Sequence, residues 1–161
     1  MTVRLLPATG VHFARLLAGE RPEPDIGLGR TPVAETEVIA MLAGLAETVA
    51  ESFAPSAWLI VAGGKLVGLM SVTAVLPDGV LQIGYGVAPG AQGRGHASAA
   101  VNALVAWASS DERVEALYAE TRTDNIASQR VLERNGFVRI AERLDEEDGA
   151  LFCWRIDCRG S

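Results

Sequence analysis

Between Trp58 and Val87 the chain reads as three consecutive β-rich runs, residues 58–62, 65–75 and 80–87, parted only by Gly63-Gly64 and by Pro77-Asp78-Gly79. Both separators are turn signals, because glycine supplies positive φ and proline presets the first residue of a turn. Connections this short can join only antiparallel neighbours. The middle of the chain is therefore committed to a meander of three hairpin strands, and the rest of the fold has to be built around it.

Ahead of the meander, residues 3–6 form a short apolar strand, and Thr9 caps a helix carrying Phe13, Leu16 and Leu17 that Gly19 stops. Residues 20–30 read as a loop. Thr31-Pro32 is a cap followed by proline at the first helical position, and Val38, Met41, Leu42, Leu45 and Val49 recur at three and four residue steps, which predicts an amphipathic helix over 32–53. After the meander, residues 93–109 are helical, with Ala97, Val101, Leu104, Val105 and Ala108 on one stripe. Residues 114–121 are a strand. Asp124 caps a helix whose Ala127, Val131 and Leu132 face inward, and Asn135-Gly136 suits a left-handed helix terminus. Strands 137–141 and 151–156 follow, with the acidic turn Asp145-Glu146-Glu147-Asp148-Gly149 between them. The order β-α-α-β-β-β-α-β-α-β-β is mixed α/β without internal repeat, expected to be a single domain over residues 1–161.

Composition narrows the function classes. Hydrophobic residues make up 49% and charged residues 21%, the balance of a globular chain. Acidic side chains outnumber basic ones by 20 to 14, and a net charge of −6 repels a phosphate backbone, so a nucleic-acid partner is not expected and a cationic one is favoured. Apolar runs such as 57–62 and 103–108 fall far short of the ~20 residues of a membrane-spanning helix. Pro7, Thr9, Gly10 and His12 interrupt any leader-like stretch, so the expected compartment is the cytoplasm. Cys153 and Cys158 match neither a CxxC pair nor a zinc spacing, which predicts reduced thiols and no metal.

The stretch Val87-Ala88-Pro89-Gly90-Ala91-Gln92-Gly93-Arg94-Gly95-His96-Ala97 joins a strand to a helix. Glycines at a helix entrance let the backbone approach a ligand closely, and the unpaired N–H groups and helix dipole favour an anion there. A pyrophosphate is the obvious guest, and a bare glycine-rich turn is the alternative. A dinucleotide fingerprint would need a third glycine where the chain has Ser98, after a crossover where it has hairpins. Gly90 and Gly95 satisfy the GxxxxG half of a P-loop, yet His96 and Ala97 stand where lysine and a hydroxyl should be, so nucleotide hydrolysis is not expected.

Gln92-Gly93-Arg94-Gly95-His96-Ala97 resembles the Q/R-x-x-G-x-G/A signature of the GNAT superfamily of acetyl-coenzyme A dependent N-acetyltransferases. A second block, Asn125 to Phe137, is similar to that family's N-x-x-S-x-x-V-L-E-x-x-G-F element, and its serine points to the Rim-type branch, whose members acetylate ribosomal-protein N-termini or small amines. The resemblance covers essentially the whole chain. It implies a splayed, mostly antiparallel sheet of six to seven strands flanked by about four helices, in which the strands ending at Val87 and near Thr121 part to admit a pantetheine arm. The implied activity is transfer of acetyl from acetyl-CoA to a primary amine, on a protein N-terminus or a small molecule, by direct attack on the thioester. The alternative is an inactive domain that binds or senses CoA or acyl-CoA.

Carried onto this sequence, the resemblance implies a coenzyme-binding set of Val87, Ala88, Gln92, Gly93, Arg94, Gly95, His96, Ala97, Asn125 and Ser128. The amides of residues 93–97 would hold the pyrophosphate, and the Val87 N–H would bond the arm and polarise the thioester carbonyl. Ser128 would help the thiolate leave, against the alternative of a surface serine bonding its own helix. Asn125 would support the arm or cap a helix, Arg94 would act mainly through its backbone, and His96 would face outward. Two positions depart from the pattern: Gln82 stands where relatives carry glutamate, and Leu132 where they carry an acidic tyrosine. The expected base is Glu120, its pKa raised by burial, or else Glu120 is an exposed strand-end carboxylate. Tyr85 and Tyr118 are candidates for the missing tyrosine. Trp58, Trp107 and Trp154 either pack or meet a cationic amine. Residues 20–30, the helix over 32–53 and the turn 145–148 would line the acceptor side, where Glu20, Glu23, Asp25 and the acidic turn favour a cation. A homodimer is the commonest assembly for such a domain.

Overall fold

In the computed structural model, which describes residues 2–159, the chain runs β1 (Val3–Pro7), α1 (Gly10–Leu17), β2 (Gly27–Leu28), α2 (Thr36–Ala50), β3 (Ala57–Ala62), β4 (Lys65–Leu76), β5 (Val80–Val87), α3 (His96–Ser110), β6 (Ala116–Arg122), α4 (Ile126–Arg134), β7 (Val138–Asp145) and β8 (Gly149–Asp157). The meander forms as its turn residues require: Gly63 and Gly64 take φ of 58° and 74° between β3 and β4, and Asp78 and Gly79 take 64° and 76° between β4 and β5. The sheet order is β1-β3-β4-β5-β6-β8-β7, with β2 alongside β4. Pairing is antiparallel except for β2 with β4 and β5 with β6. Parallel neighbours need a long crossover, and α3 supplies it for β5 and β6.

Among the described residues eight strands form where six to seven were expected. The eighth is β2, a pair of residues within the segment read as loop, held beside Lys65 and Leu66 by the burial of Ile26. Two residues carry no periodicity to read. Three helix starts also move. Helix α2 begins at Thr36, after Glu35, because Thr31 is used in a tertiary contact: its Oγ1 accepts the Gly90 N–H at 2.9 Å. Helix α3 begins at His96, since Gly93 and Gly95 both sit at φ 78°. Helix α4 is capped by Asn125, whereas Asp124 pairs with Arg122.

Alternation along β3 divides the core. Trp58, Ile60 and Ala62 pack with Ala100, Val101 and Leu104 of α3 and Leu132 of α4, while Ala57, Leu59 and Val61 pack with Phe13 of α1 and Ile39 and Ala46 of α2. All three tryptophans pack: Trp58 and Phe53 meet Trp107 edge-on, with ring centroids 5.0 and 6.0 Å away, and Trp154 Nε1 donates to Thr121 Oγ1 at 3.0 Å. At the end of α3 the Arg159 guanidinium donates to the carbonyls of Ala108 and Val114, both at 3.0 Å, and to that of Asp111. The Ala108 carbonyl also accepts the Asp111 N–H and the Asp111 carbonyl the Val114 N–H, so Arg159 adds a second donor to each and ties the last turn of α3 to the turn beyond it.

Candidate active site

The parallel ladder between β5 and β6 holds for three pairs only, ending at Gln82 opposite Tyr118. Beyond it the strands part, each still braced on its far side. Strand β5 stays on β4 as far as Val87 opposite Gly68, and β6 stays on β8 as far as Arg122 opposite Leu151. Ala88 N–H donates to the Val67 carbonyl at 2.8 Å, so the alternation of an antiparallel ladder turns the Val87 N–H away from β4 and into the gap. The Val87 carbonyl accepts from Gln92 Nε2 at 3.1 Å. The result is a strand edge inside the molecule, of the kind that takes up an extended ligand.

Past Val87 the chain makes a 3₁₀ turn at Pro89–Ala91 and enters α3 through Gly93 and Gly95. No side chain caps this helix, so its first N–H groups face outward in the arrangement that binds phosphate. A Cβ on Gly93 or Gly95 would meet nothing within 4 Å, so glycine is required there by the positive φ and not by space. A cavity of about 580 Å³ opens on this entrance, lined by Val87, Gln92, Gly93, Gly95, His96 and Ala97 together with Arg130 and Arg134 of α4. His96, expected to face outward, is instead only 4% exposed. Ala88 is buried with its N–H used on Val67, and the Arg94 side chain is not part of the lining. Arg130 and Arg134 went unrecognised in the sequence. Their i, i+4 spacing puts them on one helix face, but nothing local says that this face looks at the glycine strap.

A second cavity of about 430 Å³ lies on the other side of the gap, lined by Gln82, Gly84, Glu120, Arg122, Asp148 and Leu151. Tyr85, Asn125 and Ser128 line both cavities. Asn125 Oδ1 accepts the Ser128 N–H at 3.1 Å, which is the capping role, and fixes the first turn of α4. Ser128 Oγ bonds the Tyr85 phenol at 2.9 Å and not its own helix backbone. Burial pushes the Tyr85 pKa up, and the bond to Ser128 offsets part of that rise. Tyr85 follows Leu81 and Ile83 on the face of β5 that packs on α3 and α4, and this brings it to Ser128.

Glu120 does not carry the raised pKa expected of it. Its two oxygens accept from Arg143 Nε at 2.6 Å and Nη2 at 2.7 Å, and Oε2 also accepts from the Tyr118 phenol at 2.7 Å. The carboxylate is 14% exposed, yet the Arg143 guanidinium outweighs burial and holds it below the usual carboxylate range, opposite to the rise expected. A clamped carboxylate of this kind keeps its charge and is a poor proton acceptor. Tyr118 faces Glu120 and Cys153, and burial together with those partners raises its pKa, so its hydroxyl is not offered to Ser128. Arg143 was missed because the sequence reading ended this strand at residue 141, whereas β7 continues to Asp145.

The expected acceptor-side carboxylates are dispersed. Glu23 bonds His12 Nε2 at 2.7 Å, and Asp145 is engaged by Arg143 and by the N–H groups of Glu147 and Asp148. Asp148 is the member of the acidic turn that lines the second cavity, while Glu20 and Asp25 line neither cavity. Nor does α2 reach the gap; with α1 and residues 28–36 it borders a separate cavity of about 600 Å³ beside Thr31. Among the described residues no three metal-ligating side chains gather, no helix is long and apolar enough to cross a membrane, and both cysteines are free thiols.

The family model described as an acetyltransferase (GNAT) domain matches residues 3–138. Among solved structures, the chain is similar to RimL, a ribosomal L7/L12 alpha-N-protein acetyltransferase in complex with coenzyme A. That likeness has a TM-score of 0.73 at 21% identity and covers 98% of this chain and 94% of that one. A spermidine N-acetyltransferase SpeG chimera from Vibrio cholerae and hSSAT gives 0.70 at 16% identity, covering 98% and 96%. AAC(6')-Ib, in complex with paromomycin and acetyl-CoA, gives 0.68 at 18% identity, covering 98% and 94%. At these identities the likeness is one of fold. No curated protein sequence matches the chain.

Proposed function

The chain belongs to the GNAT acetyltransferase family, and from that premise we propose that it moves the acetyl group of acetyl-CoA to a primary amine, on a protein N-terminus or a small molecule. The observation that carries this reading is the gap itself: an unpaired β5 edge, an uncapped α3 entrance and the Ser128 hydroxyl converge on it from three elements. The amides of residues 93–97 hold the pyrophosphate, with Arg130 and Arg134 supplying local positive charge in an otherwise acidic protein. The Val87 N–H bonds the extended arm and aims at the thioester oxygen, where negative charge grows as the amine attacks. Acetyl-CoA brings the activated carbonyl and a good leaving thiol. Ser128 stands at the junction of the two cavities to meet that thiol, and Asn125 holds it there.

The amine enters from the second cavity. Glu120, clamped by Arg143, orders the wall of that cavity, and water takes the proton that the amine sheds. Asp148 remains to attract a cation, so the preference for a cationic acceptor rests on it. The reading of an inactive coenzyme-binding domain rested on Gln82 and Leu132; the hydroxyl pair of Ser128 and Tyr85 in the gap favours the enzyme. The activity resides in one domain, without metal, in the cytoplasm.

A melt with and without saturating acetyl-CoA, with NADH and ATP in parallel, tests the binding half. A ligand at a hundred times its Kd adds about 2.7 kcal/mol, a rise of about 5 to 11 °C for a chain of this size. Thiol release with a serine-initiated peptide, spermidine and ribostamycin tests the transfer half. No rise with acetyl-CoA removes both the enzyme and the binding-domain readings; a rise without thiol release from any amine leaves the binding domain.

A further inference from the structure

We infer that Tyr85 is a proton relay for the departing thiol, acting through Ser128. The inference rests on the N-acetyltransferase reading and assigns a role to a residue outside the two sequence blocks that carry the family resemblance. Three observations support it. The Tyr85 phenol lies 2.9 Å from Ser128 Oγ, both side chains line both cavities where the gap joins them, and Asn125 fixes Ser128 by its backbone N–H. Strand β5 thereby carries both the Val87 N–H, turned into the gap, and, two residues earlier, the Tyr85 hydroxyl.

The chemistry requires a partner for Ser128. An aliphatic hydroxyl is a far weaker acid than a thiol, whose pKa is about 8.5, so serine gives up a proton only if another replaces it at once. A phenol, at about 10 in water and raised by burial here, is still a far better acid than an aliphatic hydroxyl, so it can return a proton to Ser128 as the serine gives up its own. When the phenol donates to Ser128 Oγ, the serine hydrogen is free to point into the gap. Burial keeps the phenol protonated at neutral pH until negative charge appears beside it. The chain's other tyrosine, Tyr118, is bonded to Glu120, and Leu132 has no proton to give.

The bond from nitrogen to the acetyl carbon forms as the carbon–sulfur bond breaks, and its electron pair goes to sulfur. Sulfur takes the Ser128 hydroxyl proton, Ser128 takes the Tyr85 proton, and the phenolate is neutralised from water, which carries the proton shed by the amine.

The test compares wild type, Tyr85→Phe, Ser128→Ala and the double variant in single turnover, with acetyl-CoA and the peptide, spermidine and ribostamycin as acceptors. A melt with acetyl-CoA on each variant checks folding and coenzyme binding. Each single variant loses about a hundredfold in rate, the scale of one general acid. The double variant is no slower than the worse single one, because the two hydroxyls form one path. In mixtures of light and heavy water the wild-type rate curves downward with deuterium content, as two protons in flight require, and the Tyr85→Phe rate is linear; a packing role for the ring would not change that curvature. A Tyr85→Phe rate within about threefold of wild type, losses that multiply in the double variant, or a linear wild-type plot overturns the relay and leaves the transferase reading intact. Absence of thiol release from wild type with every amine overturns both.

Discussion

Gly68→Ala is the substitution whose outcome the geometry fixes most closely. Gly68 faces Val87 in the β4–β5 register, and a Cβ built on it falls far inside contact distance of the Gly86 carbonyl oxygen, with the Gly86 carbonyl carbon and Ile60 Cδ1 each at 3.2 Å. Ile60 is fully buried, and the first obstacle is backbone, so no side-chain rotation relieves the clash. Strand β5 has to move at the residue before Val87. Overpacking costs about 1 to 3 kcal/mol, and a forced backbone shift belongs in the upper part of that range. At about 2 to 4 °C per kcal/mol for this chain length, Tm falls by about 4 to 12 °C. Displacing the Val87 N–H removes about one hydrogen bond to the coenzyme, a weakening of about 2- to 12-fold. Gly86→Ala is the control for stability, since a Cβ there meets nothing within 4 Å and its φ is not positive. Calorimetric melts of both variants, with titration of coenzyme A into Gly68→Ala, decide the matter. A Gly68→Ala protein that melts within about 2 °C of wild type, or a Gly86→Ala protein that melts lower than it, refutes the reasoning.

Glu120 has a folded pKa below its unfolded value of about 4.3, so its contribution to stability is complete above that pH and is lost as the pH falls through and below it. The Tm difference between wild type and Glu120→Gln is accordingly largest at neutral pH and closes in acid, which a melt series over pH 7 to 3 measures. Arg159→Ala removes three contacts from the end of α3 and lowers stability by about 1 to 3 kcal/mol, read in urea unfolding. Arg94→Ala weakens coenzyme A by no more than about tenfold. Joint replacement of Arg130 and Arg134 by alanine weakens it further and flattens its dependence on salt, as titration at low and high ionic strength shows.

The meander and the glycine strap were legible because each is a local signal, a turn sequence and a positive-φ glycine pair, whereas Ser128 was singled out only by the likeness of its block to a family element, and the cap read at Asp124 falls on Asn125. The features that escaped are contacts between distant segments. Thr31 and Pro32 carry a sound helix-start signal, but Thr31 Oγ1 lies on the Gly90 N–H, 59 positions away, and the helix waits until Thr36. Glu120 reads as a carboxylate that burial would neutralise; the guanidinium that reverses this comes from Arg143, on a strand extension that no apolar alternation announces. Tyr85 sits in a readable strand, yet its partnership with Ser128, 43 positions away, depends on how α4 crosses the sheet.

A row of unpaired backbone donors and acceptors is ordinarily an invitation to aggregate. The sheet order ends outwardly at β1 and β7, and β7 is guarded by a break in register between Arg139 and Ala141 and by the charges of Arg139, Glu142, Arg143 and Asp145. The parting of β5 from β6 creates a further edge in the interior, walled by β6 and by the first turn of α4. With β6 on one flank and α4 on the other, this edge is shielded by neighbouring elements instead of by blocking charges, so the protein keeps an open edge inside itself without presenting one on its outer rim there.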